Sequence, residues 1–174
     1  MRAQPDSVDQ IIDSWAQVSP ALDVSAMHVF GRLHRAYLLY RQEITALFEE
    51  MGTSTSGFEV LAALRRQPDQ RAAAGQLAQS TLVTTGGLTL RVRRLEAEGL
   101  VSRSRDTRDN RVVYVQLTAK GRQVVDRVAE AHFANLGHLL DQMSATERTS
   151  LAKGLNKLEQ SIRKAVPDAQ VREA

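Results

Sequence analysis

The stretch from Thr84 to Leu117 leaves this chain few ways to fold. Thr84–Glu98 spaces Leu88, Val92 and Leu95 three and four apart, the pattern of a helix with one buried side. Gly99 follows, where a helix C-terminus favours a residue free to adopt positive φ. Leu100-Val101 is then apolar and extended, Arg103–Arg111 is polar and turn-like, and Val112-Val113-Tyr114-Val115-Gln116-Leu117 is β-branched and strand-like. Upstream, Ala72–Ser80 reads as a short helix, joined to the longer one by a turn at Thr81-Leu82-Val83. A helix pair followed by two short strands around a basic loop describes a helix-turn-helix with a β-wing. The expected class is mostly α with a small β-wing.

Helices flank this centre on both sides. Asp6 or Ser7 can cap a helix carrying Val8, Ile11, Ile12 and Trp15, stopped before Pro20. Asp23 caps a long helix predicted from Val24 to Glu50, with Phe30, Leu33, Tyr37, Tyr40, Ile44, Leu47 and Met51 in a narrow apolar stripe. After the break at Gly52–Thr55, Ser56-Gly57-Phe58-Glu59 has the capping-box pattern, the serine bonding forward and Glu59 reaching back. The helix it opens ends at Gln67-Pro68. Thr118 caps a helix to about Met143, and Ser144-Ala145-Thr146-Glu147 is a second capping box. It opens a helix with Leu151, Leu155, Leu158 and Ile162 on one stripe, ending before Pro167. Such long stripes exceed what one small domain needs and suit a second copy; packing within one chain is the competing account. The expected organisation is an N-terminal extension and dimerisation helix over 1–51, the winged helix over 52–118, and C-terminal dimerisation helices over 119–174.

Charge points to the partner. The net charge of +3 is mild, but 19 of the 23 basic residues are arginine. Arg91, Arg93, Arg94, Arg103, Arg105, Arg108 and Arg111 face only Glu96, Glu98, Asp106 and Asp109 within their window, so that window alone carries the excess of the whole chain. Arginine suits phosphates and guanine edges because its planar fork donates bidentately; a solvated charged face is the plainer account. Thr84, Thr85, Gly86, Gly87 and Thr89 are the small polar residues that the first half of a recognition helix needs against base edges and phosphates. Dinucleotide and P-loop spacings are absent from Gly86-Gly87. Cysteine is absent, which removes disulfides, thiolate zinc and thiol nucleophiles. Neither a membrane-length apolar run nor a signal-peptide core is present, so a cytoplasmic protein is expected.

Three segments, Phe58–Leu64, Thr84–Val101 and Asp109–Thr118, together resemble the MarR family of bacterial transcription regulators, across residues 24–165. The last holds an Asp-x-Arg wing, a strand and a Leu-Thr cap. The resemblance implies a homodimeric regulator, most often a repressor, on a pseudo-palindromic double-stranded DNA operator. On that reading Thr84, Thr85, Gly86, Thr89, Arg91, Arg93 and Arg94 of the recognition helix meet DNA. Arg111 enters the minor groove with Asp109 orienting it, and Arg103, Arg105 and Arg108 serve phosphates. Asn110 stands where the family often has arginine, which removes one phosphate contact. The N-terminal helix with Trp15 is similar to the branch of the family that responds to urate and related aromatic anions. Its ligand residues carry over as Trp15, Glu59 and Arg91, with glutamate in place of the branch's aspartate; urate or a phenolic acid is the effector implied.

Each of these readings has a rival. Trp15 beside Ile11 and Ile12 also reads as core, and Glu59 as nothing more than a helix cap. A non-specific architectural DNA-binding protein would use the same winged helix without sequence choice or ligand. An enzyme is not expected: Gly-x-Ser-x-Gly, His-x-x-x-His and Glu-x-x-His motifs are absent. Neither cofactor nor metal is assigned, the four histidines lacking one-face spacing.

Overall fold

The computed structural model describes residues 5–80, 85–107, 109 and 112–166. In chain order the elements are α1 (Ser7–Val18), α2 (Met27–Glu50), α3 (Thr55–Arg65), β1 (Arg71–Ala73), α4 (Ala74–Ser80) and α5 (Thr85–Ala97). They continue with β2 (Val101–Arg105), β3 (Val113–Leu117), α6 (Ala119–Leu139) and α7 (Ala145–Ala165). The chain divides into two compact units, Met1–Leu47 and Phe48–Ala174. Among the described residues no helix is long and apolar enough to cross a membrane.

In the first unit, Asp6 caps α1. Its carboxylate accepts from the Val8 and Asp9 N–H groups at 2.8 and 3.1 Å, and the Asp9 carboxylate accepts from the Asp6 N–H at 2.9 Å. Arg32 of α2 grips both acids, donating to Asp6 at 2.9 Å and to Asp9 at 2.8 Å. The Asp6 N–H, and after it Arg32, hold the Asp9 carboxyl below the usual carboxylate range. Val8, in the first turn, is fully buried against Gly31 of α2. Helix α2 starts at Met27, three residues later than the expected Val24. The Asp23 carboxylate accepts from the Ser25 N–H at 2.9 Å, and this local turn takes the place of a helix cap.

In the second unit, the N-cap of α3 is Ser54, whose hydroxyl accepts from the Gly57 N–H at 3.1 Å. The capping box expected at Ser56–Glu59 does not form. The helix begins at Thr55, so Ser56 lies inside it and Glu59 is five residues past the cap, too far to reach back. At the third helical position stands Gly57, with no side chain to return a bond. Phe58, Val60, Leu61 and Leu64 of α3 are buried, as are Leu77 of α4, Leu88, Val92 and Leu95 of α5, Val115 of β3, and Val125 and Val128 of α6. Helix α3 packs on α4, α5 and α6, so the winged helix is organised around it.

The sheet is antiparallel in the order β1-β3-β2. Arg71–Ala73 form its third strand, with Ala72 opposite Val115, so Ala72 and Ala73, expected to open a helix running to Ser80, are strand and the helix starts at Ala74. Gln70, at a φ of 52°, turns the chain into that strand, and its carbonyl accepts from the Leu117 N–H at 3.0 Å. Pairing with an open edge of β3 overrides the helix propensity of Ala72 and Ala73. Strand β2 also runs further than Leu100-Val101, to Arg105 opposite Val113. Gly99, at a φ of 71°, ends the α5 region as expected. Helix α6 stops at Leu139 rather than Met143, while Thr118 caps its start and the Ser144–Glu147 capping box opens α7, both as expected.

Candidate nucleic-acid interface

Helix α5 buries Leu88, Val92 and Leu95 and turns Thr89, Leu90, Arg93 and Arg94 outward. Thr85 and Gly86 lie in its first turn; Thr84 and the turn at Thr81-Leu82-Val83 fall outside the described residues. Arg94 is 75% exposed and bonded to Glu98 at 2.9 Å, an i,i+4 pair worth little in water. Arg91 is half-buried, and its Nη1 atom is shielded from solvent.

The wing is tied to this helix by a contact that sequence reasoning missed. Arg103 of β2 donates from Nε to the Glu96 carboxylate of α5 at 2.8 Å. Hydrogen bonding in this pair lowers the Glu96 pKa and raises that of Arg103. The guanidinium expected to serve phosphates is therefore engaged within the unit. Arg105, at the far end of β2, is exposed. At the tip, the Asp106 carboxylate accepts from the Asp109 N–H at 3.0 Å, and the Asp106 N–H donates to the Val112 carbonyl at 2.9 Å. Arg108, Asn110 and Arg111 fall outside the described residues, and with them the expected Asp109–Arg111 pair. On the opposite strand pair, the Arg71 guanidinium lies 3.8 Å from the centroid of the Tyr114 ring.

The far end of α5 is held by α6. The Thr118 hydroxyl donates to the Gly99 carbonyl at 2.8 Å, the Thr118 N–H to the Leu100 carbonyl at 3.1 Å, and Lys120 Nζ to the Glu98 carbonyl at 2.9 Å. The only sequence signals for this joint were a glycine C-cap and a threonine N-cap, nineteen residues apart.

Of the expected ligand residues, Glu59 and Arg91 are in the second unit and Trp15 in the first. Glu59 is half-buried on α3, with Oε2 shielded from solvent, and α3 packs on the α5 that carries Arg91. A cavity of about 260 Å³ opens between the loop before α3 and α5, with Thr53, Ser54 and Ser56 on one wall and Leu90, Arg91 and Arg94 on the other. Trp15 is 46% exposed, beside Ile11, Ser14 and Val18 in a shallow groove on α1. It is not a core residue of the first unit.

The histidines separate. His28 lies 3.9 Å from Asp9 and His138 3.1 Å from Asp141. His132 is packed among Phe48, Phe58 and Phe133 at centroid distances of 5.2, 5.5 and 5.4 Å, where burial pushes its pKa down. Among the described residues no group of three or more His, Asp or Glu is placed to hold a metal ion.

This architecture and this sequence have close parallels. Residues 53–113 match the model of the MarR family. The HTH-type transcriptional regulator PecS of Dickeya dadantii is 33% identical over 156 residues, covering 89% of this chain and 94% of PecS. The chain belongs to the MarR family. The MarR-family regulator AbsC of Streptomyces coelicolor superposes with a TM-score of 0.74 at 22% identity, over 82% of this chain and 97% of AbsC. BpsR of Bordetella bronchiseptica, whose DNA binding is regulated by 6-hydroxynicotinic acid, superposes with a TM-score of 0.60 at 25% identity, over 72% of this chain and 98% of BpsR. As a MarR-family protein the chain is a DNA-binding transcription regulator, and its winged helix is the α3–β3 assembly described above.

Proposed function

We propose that the protein is a homodimeric repressor of a pseudo-palindromic operator, released by a small aromatic anion such as urate or a phenolic acid. Residues 1–51 and 119–174 form the dimer and residues 52–118 hold the DNA. Helix α5 enters the major groove with Thr84, Thr85, Gly86, Thr89, Arg93 and Arg94; Arg105 and Arg108 take phosphates, and Arg111, oriented by Asp109, takes the minor groove. The apolar faces left open on α2 (Phe30, Tyr37) and α7 (Leu155, Ile162) support dimerisation. In a two-fold dimer the two α5 helices are set one helical turn of DNA apart.

Control by ligand rests on Glu59. It has no part in capping α3, yet it keeps a carboxylate oxygen away from solvent on the helix that packs against α5. A shielded carboxylate is costly unless a cation or donors compensate it, and Arg91 on α5 presents a shielded guanidinium nitrogen. An aromatic carboxylate or enolate competes with Glu59 for Arg91 and so acts on the recognition helix directly. Trp15 supplies a flat face of the kind such rings stack on. That 6-hydroxynicotinic acid regulates BpsR supports an aromatic acid as effector.

The test is fluorescence anisotropy in about 0.15 M salt, comparing a duplex selected by the protein from a random pool with its scrambled version, with and without urate and salicylate. Operator binding requires roughly 10³-fold preference for the selected duplex, abolished by one of the ligands. Glu59→Gln keeps DNA affinity and loses the ligand response. Equal binding to both duplexes, indifferent to ligand, refutes the repressor and supports architectural DNA coating.

A further inference from the structure

The outer face of α5 carries an apolar side chain that the fold does not use. At 3.6 residues per turn, each residue advances about 100° around a helix. Leu88, Val92 and Leu95 mark the buried side; Leu90 then projects about 190° away from its centre. Leu90 is 71% exposed, against 3% for Leu88 two residues earlier. Its helical neighbours offer it no apolar partner. Three and four residues ahead stand Arg93 and Arg94, both exposed; three and four behind stand Gly87 and Gly86, which have no side chain. Leu90 therefore stands at the centre of this face, beside bare backbone on one side and two cations on the other. It touches the wall of the cavity beside α3, but most of its surface faces outward.

That combination specifies a partner. The surface that meets it must be anionic around its edges, to suit Arg93 and Arg94, and must come close to helix backbone at Gly86-Gly87. At its centre it must offer something apolar. The major groove meets all three demands: phosphates border it, its floor is flat, and its one apolar group is the C5-methyl of thymine. We infer that Leu90 reads thymine, packing its isobutyl group on a thymine C5-methyl in each half-site and so fixing T at that position. The inference rests on α5 entering the major groove.

Replacing single thymines by deoxyuridine removes the methyl and leaves base pairing intact. On duplexes that the full-length protein selects from a random pool, uracil at that thymine of both half-sites weakens binding about fifteen-fold, the worth of two buried methyls at about 0.8 kcal/mol each. Leu90→Ala binds the thymine and uracil duplexes equally, and Leu90→Met restores the difference. Because Leu90 is exposed, both variants keep the wild-type urea midpoint, which separates a reading defect from misfolding. An enriched motif in which the wild type tolerates uracil everywhere overturns this inference alone. So does uracil sensitivity that persists in Leu90→Ala. Selection of no motif at all overturns both this inference and the operator reading beneath it.

Discussion

Gly121 sits where α6 passes over the end of the recognition-helix region, and replacing it with alanine tests that joint. A Cβ at this position would lie 2.9 Å from the Leu100 carbonyl carbon and 3.3 Å from Leu100 Cα, and closer still to the carbonyl oxygen. All three atoms are backbone, so no rotamer change can make room. The same carbonyl accepts from the Thr118 N–H at 3.1 Å and from the Thr118 hydroxyl at 3.2 Å, and both bonds must stretch if α6 lifts away. Overpacking costs about 1–3 kcal/mol and each weakened bond about 1 kcal/mol. The higher helix propensity of alanine returns about 1 kcal/mol. The expected net loss is about 2–4 kcal/mol, read by urea denaturation followed by far-UV circular dichroism at one fixed protein concentration, since the stability of the proposed dimer depends on it. Gly137→Ala, on the same helix with nothing within 4 Å of a built Cβ, is the control and gains up to about 1 kcal/mol. A Gly121→Ala protein as stable as the wild type, with Gly137→Ala stabilised, refutes the close approach of α6 to Leu100.

Gly31→Ala places a Cβ 2.8 Å from Val8 Cγ1, so α1 should lift from α2, and trypsin should cleave near Arg32 faster than in the wild type; unchanged cleavage contradicts that docking. Burial lowers the pKa of His132 below its unfolded value of about 6.5. The unfolded chain then binds more protons in that window, so stability is complete above about pH 6.5 and falls as pH drops through the lowered value. Urea midpoints at pH 7.5 and 5.5 should differ less in His132→Phe than in the wild type; an equal difference removes His132 as the cause. Deleting residues 145–174 removes the α7 face and should leave a monomer with weak operator binding by sedimentation and anisotropy, whereas a tight-binding dimer excludes α7 from the interface.

The elements with strong local signals were legible in the sequence. Gly99, Thr118 and the Ser144–Glu147 box mark ends that the structure keeps, because each depends on one or two neighbouring residues. The recognition helix was legible from the three-four spacing of Leu88, Val92 and Leu95. What escaped depends on partners distant in the chain or on competition between similar local patterns. Strand β1 exists because β3 has an edge to fill, and no alternation in Arg71–Ala73 announces it. Ser54 and Ser56 offer two caps two residues apart, and only the observed start of α3 decides between them. That choice bears on function, because it leaves Glu59 without a capping role. The exposed stretch of β2 from Ser102 to Arg105 has no apolar period to read. Its arginines looked alike in the sequence, although one turns back to Glu96 and the other faces solvent.

The two roles for Arg103 can be separated by salt. A guanidinium on a phosphate releases a counterion, so its loss should reduce the slope of log affinity against log salt by about 0.9 for each contact, about 1.8 when both protomers of the proposed dimer carry the change. A guanidinium that holds β2 against α5 through Glu96 contributes nothing to that slope, and its loss weakens binding by letting the wing move relative to the recognition helix. The 2.8 Å bond to Glu96 favours the second role. Arg103→Ala and Glu96→Ala should then weaken operator binding by similar factors, leave the salt slope unchanged, and be no worse combined than singly, because either change alone already breaks the one contact. A phosphate contact predicts the opposite at every point: Glu96→Ala frees Arg103 and removes a carboxylate that repels DNA, so affinity rises, while Arg103→Ala flattens the slope. Arg105 is exposed, and on the proposed reading it meets a phosphate, so the salt dependence of Arg105→Ala is the counterion effect against which Arg103→Ala is judged.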